Sequence, residues 1–146
     1  RIAFAGADDA RPAPGVIDAI TDADAIIVCP SNPLISIGPI LAVPGVREAL
    51  VAARDRVVAV SPLIGGKTVK GPADRMLTAL GHDASCVGVA RMYAEWCSTI
   101  VIDTADEAQL AAIEALGLRA IATDTLMRDA RIAAALATST LAAVRA

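Results

Sequence analysis

Ala25-Ile26-Ile27-Val28-Cys29-Pro30-Ser31-Asn32-Pro33-Leu34-Ile35-Ser36-Ile37-Gly38-Pro39-Ile40-Leu41 carries the pattern that decides the fold. Ala25 to Val28 are apolar, mostly β-branched and uncharged, which reads as a strand buried on both faces. Pro30 and Pro33 then fix φ and remove two amide donors, so the following backbone is read as a rigid turn. Ser31, Asn32 and Ser36 place small hydrogen-bonding groups on that turn. In an open parallel sheet, ligands bind outside the carboxyl ends of the strands, which makes this stretch a candidate substrate loop. A Ser/Asn/Pro turn also serves simply to redirect the chain.

A second stretch repeats the arrangement. Val57-Val58-Ala59-Val60 is another short apolar strand, followed by Ser61-Pro62-Leu63-Ile64-Gly65-Gly66-Lys67-Thr68-Val69-Lys70-Gly71-Pro72. Gly65 and Gly66 permit close backbone approach with amides turned to phosphate oxygens, and Lys67 and Lys70 are cations within reach of the same anion. The loop is not of Walker A type, because the first glycine of that motif is missing. Taken alone, it also reads as an exposed basic turn. The two loops together define one expected cleft, with Pro30, Ser31, Asn32, Pro33, Ser36, Ser61, Gly65, Gly66 and Lys67 as candidate substrate- and nucleotide-binding residues.

Strand and helix patterns alternate along the rest of the chain. Helices are predicted over Val16–Ala23, over Val46–Ala53 after Pro44, from Pro72 through Leu80, over Ser85–Tyr93, over Glu107–Leu116 with Asp106 as N-cap, and over Arg128–Arg145. Strands are predicted at Arg1–Phe4, Ala25–Val28, Val57–Val60, Thr99–Ile102 and Arg119–Ala122. This alternation implies a doubly wound, mostly parallel α/β sheet of Rossmann-like, three-layer type.

Composition agrees with buried strands. The 146 residues are 55% hydrophobic and only 2% aromatic, so Ala, Val, Ile and Leu must build the core of one domain spanning 1–146. No apolar run approaches the roughly 20 residues that a membrane-spanning helix needs, and no secretory signal pattern is visible. A cytoplasmic protein without a membrane partner is the expectation. A net charge of −3 and the scarcity of aromatic residues argue against a nucleic-acid partner.

Other reactive residues form no recognisable constellation. Cys29, Cys86 and Cys97 lack zinc-ligand spacing, and Cys29, at a strand end, reads as a small buried hydrophobe. His82, the single histidine, sits at an expected helix end and completes no nucleophilic triad. Asp103 and Asp124 each follow an apolar strand, where an α/β fold places functional acids and also turn or cap residues. Trp96, near Arg91 and Tyr93, reads as a packing residue or an oligomer contact, compatible with a homodimer.

The residues also carry a family resemblance. Pro30-Ser31-Asn32-Pro33, Ser36 through Leu41, Pro44-Gly45-Val46-Arg47, Val58 through Gly66 and Gly71-Pro72-Ala73-Asp74-Arg75 match a pattern in order, followed by Ile102-Asp103 and Asp124-Thr125-Leu126-Met127. Over nearly the whole chain the sequence resembles the 2-phospho-L-lactate transferases (the CofD/FbiA family) of deazaflavin coenzyme biosynthesis. Members open with a Gly-Gly-Thr-Gly-Gly type loop and with acids that hold a divalent metal. Neither is found in this chain. The resemblance therefore implies a partial domain, the carboxyl-terminal half truncated at its N-terminus. It places the ligands of an expected magnesium ion (Mg2+) in the other half and implies that this chain alone is inactive.

The same resemblance implies the reaction. A deazaflavin acceptor would attack, through a ribityl hydroxyl, the phosphorus of a GDP-linked three-carbon acid donor, and GMP would leave. Such transfer depends on alignment and charge neutralisation more than on a nucleophile–base pair. Ser31, Asn32 and Pro33 fall on the family's nucleotide-side loop, and Ser36, Gly65 and Gly66 also match; Lys67 falls where the family varies. Two alternatives stay open: a non-catalytic, nucleotide-sugar-binding regulator of related fold, and an inactive fragment. Asn32-Pro33 favours the transferase over the regulator, whose loop is of Gly-Ser-Leu-Tyr-Thr-Ser type.

Overall fold

The central strands are Val57–Val60 (β2) and Thr99–Asp103 (β5), every residue of which is buried. In the computed structural model, which describes residues 2–7 and 9–145, they pair in parallel with each other. Ile26–Val28 (β1) adds to the free edge of β2 and Arg119–Thr123 (β6) to that of β5, also in parallel, giving the order β1-β2-β5-β6. A two-stranded antiparallel hairpin, Leu63–Ile64 (β3) and Lys67–Thr68 (β4), stands apart.

Register sorts the strand residues onto two faces. Ala59 lies opposite Ile100 and Val60 opposite Val101, so like-facing residues meet across the ladder. Val57, Ala59, Ile100 and Ile102 pack in one cluster with Leu50 of α3 (Val46–Ala52), Leu77 of α4 (Ala73–Ala79), Val89 of α5 (Cys86–Tyr93) and Ile113 of α6 (Leu110–Glu114). Val58, Val60 and Val101 face the other way, onto Leu136 and Ala143 of α7 (Ala130–Arg145). Strand order that advances in one direction, with right-handed crossovers, puts the connecting helices on one face. The last helix closes the other. The result is the expected three-layer α/β arrangement. Two further helices, α1 (Val16–Asp22) and α2 (Gly38–Leu41), border the β1 side, and α1 packs on α3.

Several sequence expectations are corrected. Strand β1 is only partly buried, because it is an edge strand and α7 packs across β2, β5 and β6 instead; Ile27, on that face, is 38% exposed. Cys29 is exposed for the same reason, not a buried hydrophobe. Ile2–Phe4 form no strand, and Arg1 lies outside the described residues. Asp106 does not cap a helix over Glu107–Leu116. Asp103 caps first, accepting from the Ala105 amide at 3.0 Å, and a 3-10 segment, Thr104–Gln109, precedes a short α6.

Packing explains the remaining conspicuous residues. Trp96 is fully buried with its ring 4.5 Å from that of Tyr93, so it offers no surface to a partner subunit. Burial pushes the Cys86 and Cys97 thiols up to about 11, which leaves them protonated and inert near neutrality. Gly88 lets α5 lie against Asp83: a β-carbon there would fall 1.9 Å from the Asp83 carbonyl oxygen. Gly81 is left-handed at φ 78°, and the Gly81 and His82 amides close α4 on the Thr78 and Leu77 carbonyls, so His82 marks a helix end as expected. Among the described residues, no single helix is long and apolar enough to cross a membrane.

Candidate functional site

Parallel strands deliver all their carboxyl ends to one edge, and the loops that leave β1, β2 and β6 meet there around a cleft of about 470 Å³. The β1 loop contributes Pro30, Ser31, Asn32, Ile35 and Ser36. The β2 loop contributes Ser61, Pro62 and Ile64, then Thr68 through Ala73. Thr125, Leu126 and Met127 form the third wall.

The β1 loop is more ordered than a turn. The Asn32 carboxamide oxygen accepts from the Leu34 and Ile35 amides at 2.9 and 3.3 Å, and its carbonyl takes the Ser36 and Ile37 amides, each at 3.0 Å. A wide helical turn, Pro33–Ile37, follows and runs into α2. Pro33 at its first position is buried and lies behind the cleft wall. Asn32 is thus a cap, worth about 1 kcal/mol, so the side chain shapes the loop whatever else it touches. Among the described residues, the hydroxyls of Ser31 and Ser36 have no hydrogen-bond partner, and both line the cleft.

The β2 loop divides in two. Ser61 is buried, and its hydroxyl folds back on the Leu63 backbone at 3.2 Å. Gly65 and Gly66, at φ 58° and 74°, form the two-residue turn of the β3–β4 hairpin, which requires positive φ at both positions. The Gly65 amide donates to Asp106 at 2.9 Å, so it is not free for a phosphate. Gly65, Gly66 and Lys67 lie off the cleft, and a shallow depression with Asp74 and Arg75 holds the latter two. Beyond the hairpin the chain returns: the Thr68 hydroxyl lies 2.7 Å from the Gly71 carbonyl and 2.9 Å from the Asp74 carboxylate, closing a loop that carries Lys70 to the cleft. The Thr68 hydroxyl, helped by the Arg75 amide, holds the Asp74 carboxyl below its ordinary range. Lys70 has no carboxylate partner among the described residues.

Asp103 and Asp124, both noted in the sequence, are committed to backbone amides and neighbouring side chains. One Asp103 oxygen accepts from the Thr125 amide and hydroxyl, each at 2.9 Å. Burial raises the Asp103 carboxyl, but the hydrogen bonds from Ala105 and Thr125 outweigh it and hold the group low. Asp124 accepts from the Leu126 amide at 3.1 Å and pairs with Arg128. Cleft residues outside the candidate set include Thr68, Thr125 through Met127 and Lys70, which the sequence marks only as a cation near the same anion. Their signal was there, since Asp124 through Met127 is one of the matched segments and Lys70 shares a loop with Lys67.

Comparison with known proteins shows the family. The family model described as "2-phospho-L-lactate transferase CofD" matches residues 1–141. The chain belongs to the 2-phospho-L-lactate transferase family. It is 49% identical over 94% of its length to a phosphoenolpyruvate transferase of Kitasatospora aureofaciens, covering 43% of that protein. It is 44% identical over 84% of its length to a 2-phospho-L-lactate transferase of Methanosarcina acetivorans, covering 39% of that protein. The chain thus spans about two fifths of the length of these family members.

The low Asp103 pKa has a pH signature. A carboxyl held below its unfolded value stabilises the fold above about pH 4 and loses that contribution as pH falls through the folded value. Asp103→Asn is expected to cost about 2 kcal/mol at pH 7 and progressively less as pH falls below about 4, read as urea midpoints against the parent chain. A penalty that does not change with pH would contradict the assignment.

Proposed function

We propose that this chain supplies three loops lining the substrate cleft of a transferase. The enzyme moves a phospholactyl or phosphoenolpyruvyl group from a GDP-linked donor to a deazaflavin hydroxyl. The hydroxyl oxygen forms a new P–O bond, the bond to the departing phosphate of GMP breaks with its electron pair, and the hydroxyl proton is lost to solvent. The observation that carries this reading is the convergence of three strand-end loops on one cleft with free serine hydroxyls and an unpaired lysine. Among the described residues no nucleophile–base pair accompanies them, and transfer by alignment and charge neutralisation needs none.

Within this reading, Ser31 and Ser36 donate to phosphoryl or carboxylate oxygens, and Lys70 neutralises charge on the donor. Ile35, Val69 and Met127, each more than two fifths exposed, give the same cleft an apolar rim suited to a planar ring. The family resemblance implies magnesium. Among the described residues, no group of three or more His, Cys, Asp or Glu side chains is placed to hold a metal ion. Asp74, Asp103 and Asp124 are each bonded to protein groups, so this chain's described residues do not fit that ion and no step here is routed through it. A cytoplasmic location and the GDP-linked form of the donor belong to the same proposal.

The two lysines separate this reading from the one that places the anion on the glycine turn. Lys70→Ala is expected to weaken GDP binding about tenfold by isothermal titration calorimetry, while Lys67→Ala leaves it within about twofold. Equal losses, or a loss with Lys67→Ala alone, would overturn the assignment of the anion to this cleft.

A further inference from the structure

Two acids that never reach the cleft hold two of its walls. Asp103 and Asp106 flank the start of the Thr104–Gln109 segment and are only 7% and 3% exposed. Asp106 takes the Gly65 amide at 2.9 Å on one oxygen and the Gln109 side-chain amide at 3.2 Å on the other. Asp103 takes Thr125 on one oxygen and the Ala105 amide on the other. Neither carboxylate has a cationic partner among the described residues. A buried carboxylate persists only where donors satisfy it, so the four oxygens impose four fixed positions on their donors.

Those donors belong to different walls. Gly65 is the hinge of the hairpin whose Ile64 and Thr68 line the cleft, and Thr125 is itself part of the opposing wall. Strand β5 is buried throughout and paired on both sides, so the segment that follows it is anchored in the core and is a base for both contacts. We propose that Asp103 and Asp106 are positioning residues that clamp the hairpin and the β6 loop at a set separation, and so fix the width and the ligand affinity of the cleft. The link to affinity rests on the cleft being the nucleotide site.

Chemistry supplies a selective test at Asp106. In Asp106→Asn one oxygen becomes an amide donor that faces another donor, either Gly65 or Gln109. Adding Gln109→Glu reverses that partner's polarity and restores a complete pattern with the same net charge. GDP affinity by calorimetry, well below each variant's melting temperature, is expected to fall about fivefold or more in Asp106→Asn and Asp106→Ala. The double variant Asp106→Asn/Gln109→Glu should recover it. Hydrogen exchange at Gly65 and Thr68 should accelerate in the single variants, without matching change in β2 or β5, and recover in the double variant. Unchanged affinity despite faster hairpin exchange would overturn the clamp as a determinant of binding. Unchanged exchange would overturn the clamp itself. A parent protein that binds no GDP would instead refute the nucleotide reading, and the exchange data would still decide whether Asp106 holds the hairpin.

Discussion

Strands β2 and β5 are buried on both faces, and the rest of the molecule answers to that constraint. A strand with apolar side chains up and down must have layers above and below, or its burial is lost. Helices α3, α4, α5 and α6 supply one layer and α7 the other. With about 25 cal/mol for each Å² of apolar surface removed from water, replacing a wholly buried valine or isoleucine here removes a sizeable part of a small domain's stability. The sheet is parallel, so the chain crosses from one end to the other between strands and sends every carboxyl end to one edge.

That edge is where the apolar logic stops. Strand β5 ends in Asp103 and β2 runs into Ser61, two polar groups at the limit of a sealed core. Each is satisfied locally: Ser61 by the Leu63 backbone, Asp103 by Ala105 and Thr125. Groups satisfied in this way set geometry. Cleft groups without partners among the described residues, such as the hydroxyls of Ser31 and Ser36 and the Lys70 ammonium, are those available to a ligand. The division between scaffold and site therefore follows from which polar atoms the fold already uses. Trp96 is the exception in the core, with a buried indole N–H that has no acceptor among the described residues.

The sheet was legible because parallel, doubly covered strands read as short uninterrupted apolar runs, and β2, β5 and β6 fell where those runs predicted. Strands β1 and β6 carry similar runs but sit at the two edges and are only partly buried, and no local pattern distinguishes an edge from a centre. The β1 loop was legible as a stiff polar turn at a strand end, and it lines the cleft; its helical form was not legible, because two prolines mask the capping that Asn32 provides. Gly65-Gly66 falls outside this cleft for a physical reason. Glycine pairs serve both phosphate approach and two-residue hairpins, and only the long-range bond from Gly65 to Asp106, across 41 residues, decides between them. Lys67 and Lys70 likewise look equivalent in sequence, and the hairpin turn between β3 and β4 separates them.

The central claim is that the loops after β1, β2 and β6 form one nucleotide-binding cleft. Titration of the isotope-labelled chain with GDP, followed by backbone amide NMR, tests it most directly. The account predicts shifts confined to Ser31–Ser36, to the segment around Lys70 and to Thr125–Met127, with Gly65-Gly66-Lys67 and the β1 edge near Cys29 and Ile40 unmoved. Shifts centred on Gly65-Gly66-Lys67 or on the apolar β1 edge, with the three loops unchanged, would contradict it.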